Sequence, residues 1–463
     1  MARVLAVARR GGWLGRMTSL RLSAWFLALV SAATAASWPQ YRGPAASGLD
    51  ESAALPTKWD VASGENIRWT TPIRGLAHAS PIVWGDRIYV ATAVNSAGRS
   101  DLKVGLYGNI DAAKDDASHQ WRLIALDRAT GRVAWDVLGH EGTPRVARHT
   151  KATHCNSTPA TDGRRIVAIF GSEGLFCFDA ADGRLAWRKD LGPMDSGYFQ
   201  MPASQWGFAS SPVIHDGKVI VQCDVQKGSF LAVLELADGR ELWRTERKDV
   251  PTWSTPAVVT AAGRVQIAIN GWHHTGGYDF ATGKELWKLD GGGDIPVPTP
   301  LARGDLIYFT SGHGRSRPMR AIRADATGDI TPDNSEWKHP SIAWNHDRRG
   351  TYLQTPILVG PLIYGCLDNA LLTCFDALTG AVHYSERLTA DATEGFTSSP
   401  VSDGRHLYFT SELGNVYLVP VGGKFAIAAK NTLGETCLST PAIADGALLF
   451  RTRDKLIAVG ARR

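Results

Sequence analysis

The chain has 463 residues, 44% of them hydrophobic and 21% charged, with a formal net charge of +5. Residues 1–36 hold five Arg and no acid, so the rest of the chain is neutral (5 − 5 = 0), and with no Lys/Arg cluster in it nucleic-acid binding is not expected. The six cysteines include no adjacent pair and no Cys-x-x-Cys, so they read as small buried hydrophobes rather than a metal or redox centre.

The first 36 residues run from an Arg-rich start through "LSAWFLALVSAATAA" to a small-residue end. This is the pattern of a secretory signal peptide, with cleavage expected near Ala36–Ser37. Met17 is an alternative start, because "MTSLRLSAWFLALVSAATAA" is a complete signal by itself. The mature domain is then 37–463, periplasmic or secreted, with no membrane span left after cleavage. No Cys follows the apolar run, so a bacterial lipid anchor is not expected.

Next comes "ENIRW", ending at Trp69, a single strand-like piece standing ahead of any repeat. Beyond it the chain repeats one frame. It reads "ALDRATGRVAW" (Asp127, Gly131, Trp135), "CFDAADGRLAW" (Asp179, Gly183, Trp187), "VLELADGRELW" (Glu235, Gly239, Trp243) and "GYDFATGKELW" (Asp279, Gly283, Trp287). A softened copy, "CFDALTGAVHY", has Asp376, Gly380 and Tyr384. The apolar run is a strand, the acid and Gly close a tight turn, and the Trp opens the next strand. The acid is thereby a turn residue, not a catalytic one.

Upstream of each frame stands a Ser/Thr-Pro pair, at Pro81, Pro159, Pro212, Pro256, Pro300, Pro356, Pro400 and Pro441. Four intervals fall at 41 to 44 residues and three are longer, at 78, 53 and 56. Units of this length, all strand and turn, predict an all-β, eight-bladed β-propeller of four-stranded antiparallel blades. The eighth unit stops before any Trp-strand. Trp69 precedes Pro81 by 12 residues, matching 13 from Trp243 to Pro256, so the N-terminal strand is expected to complete the last blade. The same spacing selects Trp344, not Trp337, for the fifth blade.

These repeats resemble the pyrroloquinoline-quinone (PQQ)-like propeller family, with its recurring Ala-x-Asp-x-x-x-Gly-x-x-x-Trp element. "WPQYRGPAASGL", "QCDVQKGSFLAVLEL", "TWSTPAVV" and "GETCLSTPAIADGALLFRTRDKLIAVG" carry the likeness, from about Trp38 to the end. Within that family the chain looks like the exported bacterial PQQ-binding-like β-propeller repeat proteins. This likeness implies a fold but no shared activity. The quinoprotein dehydrogenases of the family clamp PQQ under a vicinal Cys-Cys and hold Ca²⁺ with carboxylates, and neither set has a match here. The lipidated Cys of the related assembly lipoprotein is also missing from this chain.

In such a propeller the loops entering each inner strand share a face with the loops joining its second and third strands. Entering loops carry His78, His154, Trp206, Phe208, Trp253, Tyr352, Phe396 and Glu435. Joining loops carry Asp224, His273, His274, His313, Arg315, Arg317, Glu412 and Arg453, and an insertion from Asn95 to Gln120 is placed as a cap. Aromatics mixed with His, Arg and acids suit a small polar ligand or a peptide. Adjacent His273 and His274 point apart on a strand, so no metal set is assigned. His154 beside Cys155 reads as a buried histidine, since no orienting Asn or Asp can be assigned.

The expected function is therefore binding of a small ligand, or of an envelope or extracellular protein, by a monomer. A PQQ-dependent quinoprotein-type oxidoreductase using PQQ with Ca²⁺ is the enzyme alternative, and an envelope assembly scaffold is the second alternative. No catalytic residue is assigned.

Overall fold

The computed structural model describes residues 37–106, 112–333 and 337–461. The expected signal peptide lies outside them. Eight antiparallel blades follow in chain order, the first being Ile82–Trp84, Arg87–Asn95, His119–Asp127 and Val133–Gly142. The eighth contains Ala442–Ala444, Ala447–Arg451 and Lys455–Val459, and its outer strand is Ile67–Pro72. Trp69 pairs with Ala458 and Thr71 with Leu456, so the start of the domain closes the ring as expected. Trp344 lies in the outer strand of blade 5, Ile342–His346, opposite Ala321.

Hydrophobic cores form between blades rather than inside one. Val167 and Cys177 of blade 2 pack with Val219, Val221 and Ala232 of blade 3, all fully buried. This pairwise burial lets one ring exceed the size at which a single core divides. All six cysteines are buried and unpaired, as the small-hydrophobe reading expects.

The recurring frame turns out to be an inter-blade joint. Asp127 Oδ1 accepts the Thr130 N–H at 2.9 Å and hydroxyl at 2.7 Å, and these bonds hold its carboxyl below the usual range. Gly131 has φ +71° and donates to the Asp127 carbonyl. A Cβ there would lie 2.5 Å from the Trp69 ring, which belongs to the neighbouring blade. In four outer strands the indole lies on the next blade's turn and donates to the carbonyl just after the acid. Trp69 reaches Arg128, Trp187 reaches Leu236, Trp243 reaches Phe280 and Trp344 reaches Ala377, at 2.9 to 3.1 Å. Trp287 instead donates to Gln266 Oε1 of its own blade, and Trp135 Nε1 has no hydrogen-bond partner among the described residues. The Gly is needed twice, for positive φ and for the ring that covers it.

The Ser/Thr-Pro pairs form a second circular device. The proline ring clashes with the residue before it and keeps that residue extended, and since proline has no N–H that residue supplies the last donor before the inner strand. That N–H donates to the equivalent hydroxyl of the next blade. Ser80, Thr158, Ser211 and Thr255 form one arc, and Thr299, Thr355, Ser399 and Thr440 another, with links of 2.9 to 3.0 Å. Ser80 Oγ and Thr299 Oγ1, which begin the two arcs, have no hydrogen-bond partner among the described residues.

Two departures mark the longer intervals. A hairpin, Gly197–Tyr198 with Met201–Gln205, stands between blades 2 and 3. In blade 5 the third and outer strands are joined without the compact turn. There Gly328–Asp329 runs parallel to the outer strand of blade 4, Glu285–Asp290, and Trp337 lies 3.9 Å from the Arg320 guanidinium.

Candidate functional site

The segment after residue 37 crosses beneath the ring. Trp38 bridges Val83 of blade 1, the Pro39 carbonyl accepts Thr161 of blade 2, and Leu49 bridges Ser402 of blade 7. Arg42, with no exposed surface, donates to Pro356 and Pro400 carbonyls at 2.9 Å, and the Tyr41 hydroxyl meets Ser399 Oγ at 3.1 Å. Together they plug one end of the axis.

Above the plug is a cavity of about 170 Å³. Its floor is Tyr41 and hydroxyls of the Ser/Thr belt, Ser80, Thr158, Ser211, Thr255 and Thr440. Its walls include Trp206, Trp253, Tyr352, Ile295, Val297 and Leu353, with His78, Lys151 and Asn156 as polar groups. Trp253 donates its indole N–H to Gly207 O at 2.9 Å, and Trp206 stacks on His149 with ring centroids 3.9 Å apart. These bonds lock the aromatic walls in place. Among the described residues no carboxylate lines the cavity.

The insertion reaches across the upper face. Arg99 pairs with Asp454, and Arg453 donates to Ser100 O, both at 2.6 Å. Lys151 donates to Gly105 O at 2.7 Å and pairs with Glu412 at 2.7 Å. Glu412 also accepts the Gly105 N–H at 2.7 Å and the Thr397 hydroxyl at 2.6 Å. This buried clamp ties blade 2, the insertion and blade 7 together.

Of the residues named from sequence, His78, Trp206, Trp253 and Tyr352 therefore meet at the cavity. His313 stands at the rim, bonded to Asp294 at 2.6 Å, with its ring 5.2 Å from Tyr352. Others go elsewhere. Phe396 is fully buried between blades 6 and 7, and Phe208 is buried in the core between blades 2 and 3, because an apolar ring at the strand entrance packs better inward. Asp224 is buried against Arg247 at 2.8 Å. Glu435 takes the Thr452 hydroxyl and lies 4.0 Å from Lys455. Arg315, Arg317 and His273 are exposed, and His274 bonds Glu285 at 2.8 Å.

Asp224, Glu412 and Glu435 thus do not converge, each being held by a different partner. Calcium needs six to eight oxygens, and the axial cavity presents no carboxylate set for it. The closest cysteines, Cys366 and Cys374, face Leu372 and Tyr364 across one hairpin and cannot clamp a ring. The residues present do not fit PQQ with Ca²⁺ as the quinoproteins of the fold would hold it.

Sequence reasoning also missed a cluster beside the cavity. Asp115 of the insertion, His119 and His154 bring one ligand atom each to within 4.8 Å of one another. The Asp that was wanting near His154 comes from the insertion, 39 positions away (154 − 115).

His78 carries a pH dependence. Its Nε2 donates to Lys151 O at 2.8 Å, and burial lowers its pKa from 6.5 to about 4, that hydrogen bond opposing and the Arg148 and Lys151 charges assisting. Because the folded value is depressed, the contribution is complete above pH 6.5 and is lost as pH falls toward 4. Urea melts at pH 7.5 and 4.5 should show about 2–3 kcal/mol less dependence in His78→Gln than in the wild type. Equal dependence in both would remove His78 as the titrating group.

Comparison with known proteins agrees with this geometry. The family model described as "Outer membrane protein assembly factor BamB" matches residues 50–197 and 119–386. Outer membrane protein assembly factor BamB of Bordetella pertussis is 25% identical over 202 residues, 43% of this chain and 46% of that protein. The quinohemoprotein alcohol dehydrogenase ADH IIB of Pseudomonas putida is 25% identical over 249 residues, 50% of this chain and 31% of that protein. The matches thus span less than half the length of these curated relatives. A europium-containing methanol dehydrogenase superposes with a TM-score of 0.59 at 11% identity, covering 92% of this chain and 89% of that one, which shows the fold alone. With eight closed blades, their repeated Trp joints and this match over most of its length, the chain belongs to the PQQ-like β-propeller family whose model is described as outer membrane protein assembly factor BamB.

Proposed function

We propose that this chain is an exported binding propeller that seats a small, flat, largely apolar molecule in its axial cavity. The observation that carries this reading is the cavity itself: plugged at one end, walled by Trp206, Trp253 and Tyr352, and floored by hydroxyls. Three bulky aromatic walls favour a flat ring system. Ser80 Oγ, buried and without a partner among the described residues, gives such a ligand one polar atom to bond. The leader-like composition of residues 1–36 supports a location outside the cytoplasm, periplasmic or secreted.

The likeness to BamB supports a second reading, a scaffold for an envelope protein. Likeness to quinoproteins supports a third, oxidation, which the acid-free cavity argues against. Titrating the protein with a naphthoquinone and with PQQ, each with and without Ca²⁺, separates the three. Saturable quenching of tryptophan emission by the naphthoquinone is expected, weakened at least tenfold in Trp253→Ala. PQQ binding with Ca²⁺-dependent dye reduction by alcohols would establish the enzyme instead. No quenching by either, with one stoichiometric envelope protein retained in a pull-down, would establish the scaffold.

A further inference from the structure

The Asp115, His119 and His154 cluster joins three parts of the chain: the insertion, the start of the third strand of blade 1, and the loop entering blade 2. His119 is 1% exposed and His154 6%. The His119 Nδ1 lies 2.9 Å from the Ala117 carbonyl, which can only accept, so Nδ1 carries a proton and the neutral ring presents its lone pair at Nε2. That Nε2 is 3.4 Å from Asp115, and His154 Nε2 is 3.7 Å from it. Neither Nε2 has a hydrogen-bond partner among the described residues. The two rings meet edge to face with centroids 4.8 Å apart. Buried nitrogens left unbonded cost free energy, and here two of them converge on one carboxylate.

We propose that Asp115, His119 and His154 bind one divalent first-row transition ion. Two imidazole nitrogens and a carboxylate oxygen are a borderline donor set suited to Zn²⁺ or Fe²⁺, and too poor in oxygen for Ca²⁺ or Mg²⁺. Ligand atoms on a common ion at about 2.1 Å stand roughly 3–4 Å apart, so the 4.8 Å cluster needs only a small closure. The ligands are oriented from outside. Arg148 Nε donates to Asp115 Oδ2 at 2.7 Å, Asn95 Nδ2 donates to Oδ1, and Ala117 holds His119. Each carboxylate oxygen keeps a further lone pair for an ion. Arg148 brings a like charge, which favours an ion carried by the nitrogens over one needing several acids. Three protein ligands leave a fourth position for water, and the ion would fasten the insertion to blades 1 and 2 because its ligands come from all three.

The test uses the full mature chain, stripped with a chelator and then given Zn²⁺ or Co²⁺ alone. One equivalent bound by elemental analysis, the visible absorption of a low-symmetry Co²⁺ site, and a melting temperature several degrees higher are expected. His154→Gln and Asp115→Asn should each weaken Zn²⁺ binding by 10-fold or more. The metal-free melting temperature of each variant, compared with the metal-free wild type, separates lost binding from lost folding. Fewer than 0.1 equivalents bound by the wild type would overturn the proposal, as would binding unchanged in both variants. In either case the cluster is a hydrogen-bonded site for water.

Discussion

A chain beginning at Pro72 is expected to lose much of its cooperative unfolding, whereas a chain ending at Ala461 should melt like the full domain. The truncation removes residues 67–71 of the outer strand, which hydrogen-bond the edge strand Lys455–Val459, and leaves that edge open. It also removes Trp38, Leu55 and Trp59, buried in the core shared by blades 7, 8 and 1. Trp69→Ala isolates the joint. The change takes away the ring covering Gly131 and the 3.0 Å bond to Arg128 O, at a cost of about 3 kcal/mol. Trp187→Ala in blade 2 is the reference, because Trp187 makes the same contact with Gly239 and Leu236 inside the ring. Urea denaturation of both should give similar losses, within about 1 kcal/mol. A Trp69→Ala protein as stable as wild type, beside a destabilised Trp187→Ala, would mean that the ring does not depend on its closing joint.

The same comparison explains what could be read from the chain. Blade number was legible from the eight Ser/Thr-Pro pairs, and closure and the choice of Trp344 from the Trp-to-Pro spacing, because most joints use an acid or its equivalent, a Gly and a Trp at fixed spacing. Turn chemistry and indole size leave few substitutes there. The partner of that Trp was not legible, since the contact joins residues about 50 positions apart, such as Trp187 and Gly239. The cavity was half legible. Trp206, Trp253, Tyr352 and His78 stand on entering loops whose positions the repeat assigns, and all four line it. Phe396, on an entering loop, and Glu412, on a joining loop of the same face, turn inward, Phe396 into the core between blades 6 and 7 and Glu412 onto Lys151. Polarity alone does not say which side of a loop a residue takes; a long-range partner decides it. The Ser/Thr before each Pro was visible as a pattern, yet its hydroxyl belt appears only once the blades stand side by side.

The second large effect is expected at Arg42, in the plug beneath the cavity. Its guanidinium is fully buried and faces carbonyls rather than a carboxylate. Nε donates to Ala46 O at 3.1 Å, and the terminal nitrogens donate to Pro400 O and Pro356 O at 2.9 Å and to Ser47 O at 3.2 Å. Burial pulls its pKa down to about 10, which leaves it charged at neutral pH. One planar fork thereby joins the crossing segment to the entrances of blades 6 and 7, where a Lys could serve only from a single nitrogen. Arg42→Ala strands those carbonyls and should cost about 3–5 kcal/mol. Arg42→Lys should fall between it and wild type. Because the lost bonds tie the segment to the ring, chymotrypsin should cut after Tyr41 in Arg42→Ala before the blades unfold; the Trp38–Pro39 bond resists the enzyme. Quenching by an axial ligand should weaken in parallel, because Tyr41 is part of the cavity floor. An Arg42→Ala protein with an unchanged melting temperature and a protected Tyr41 would show that Trp38 and Leu49 hold the segment without the arginine, and that the axis is plugged by packing alone.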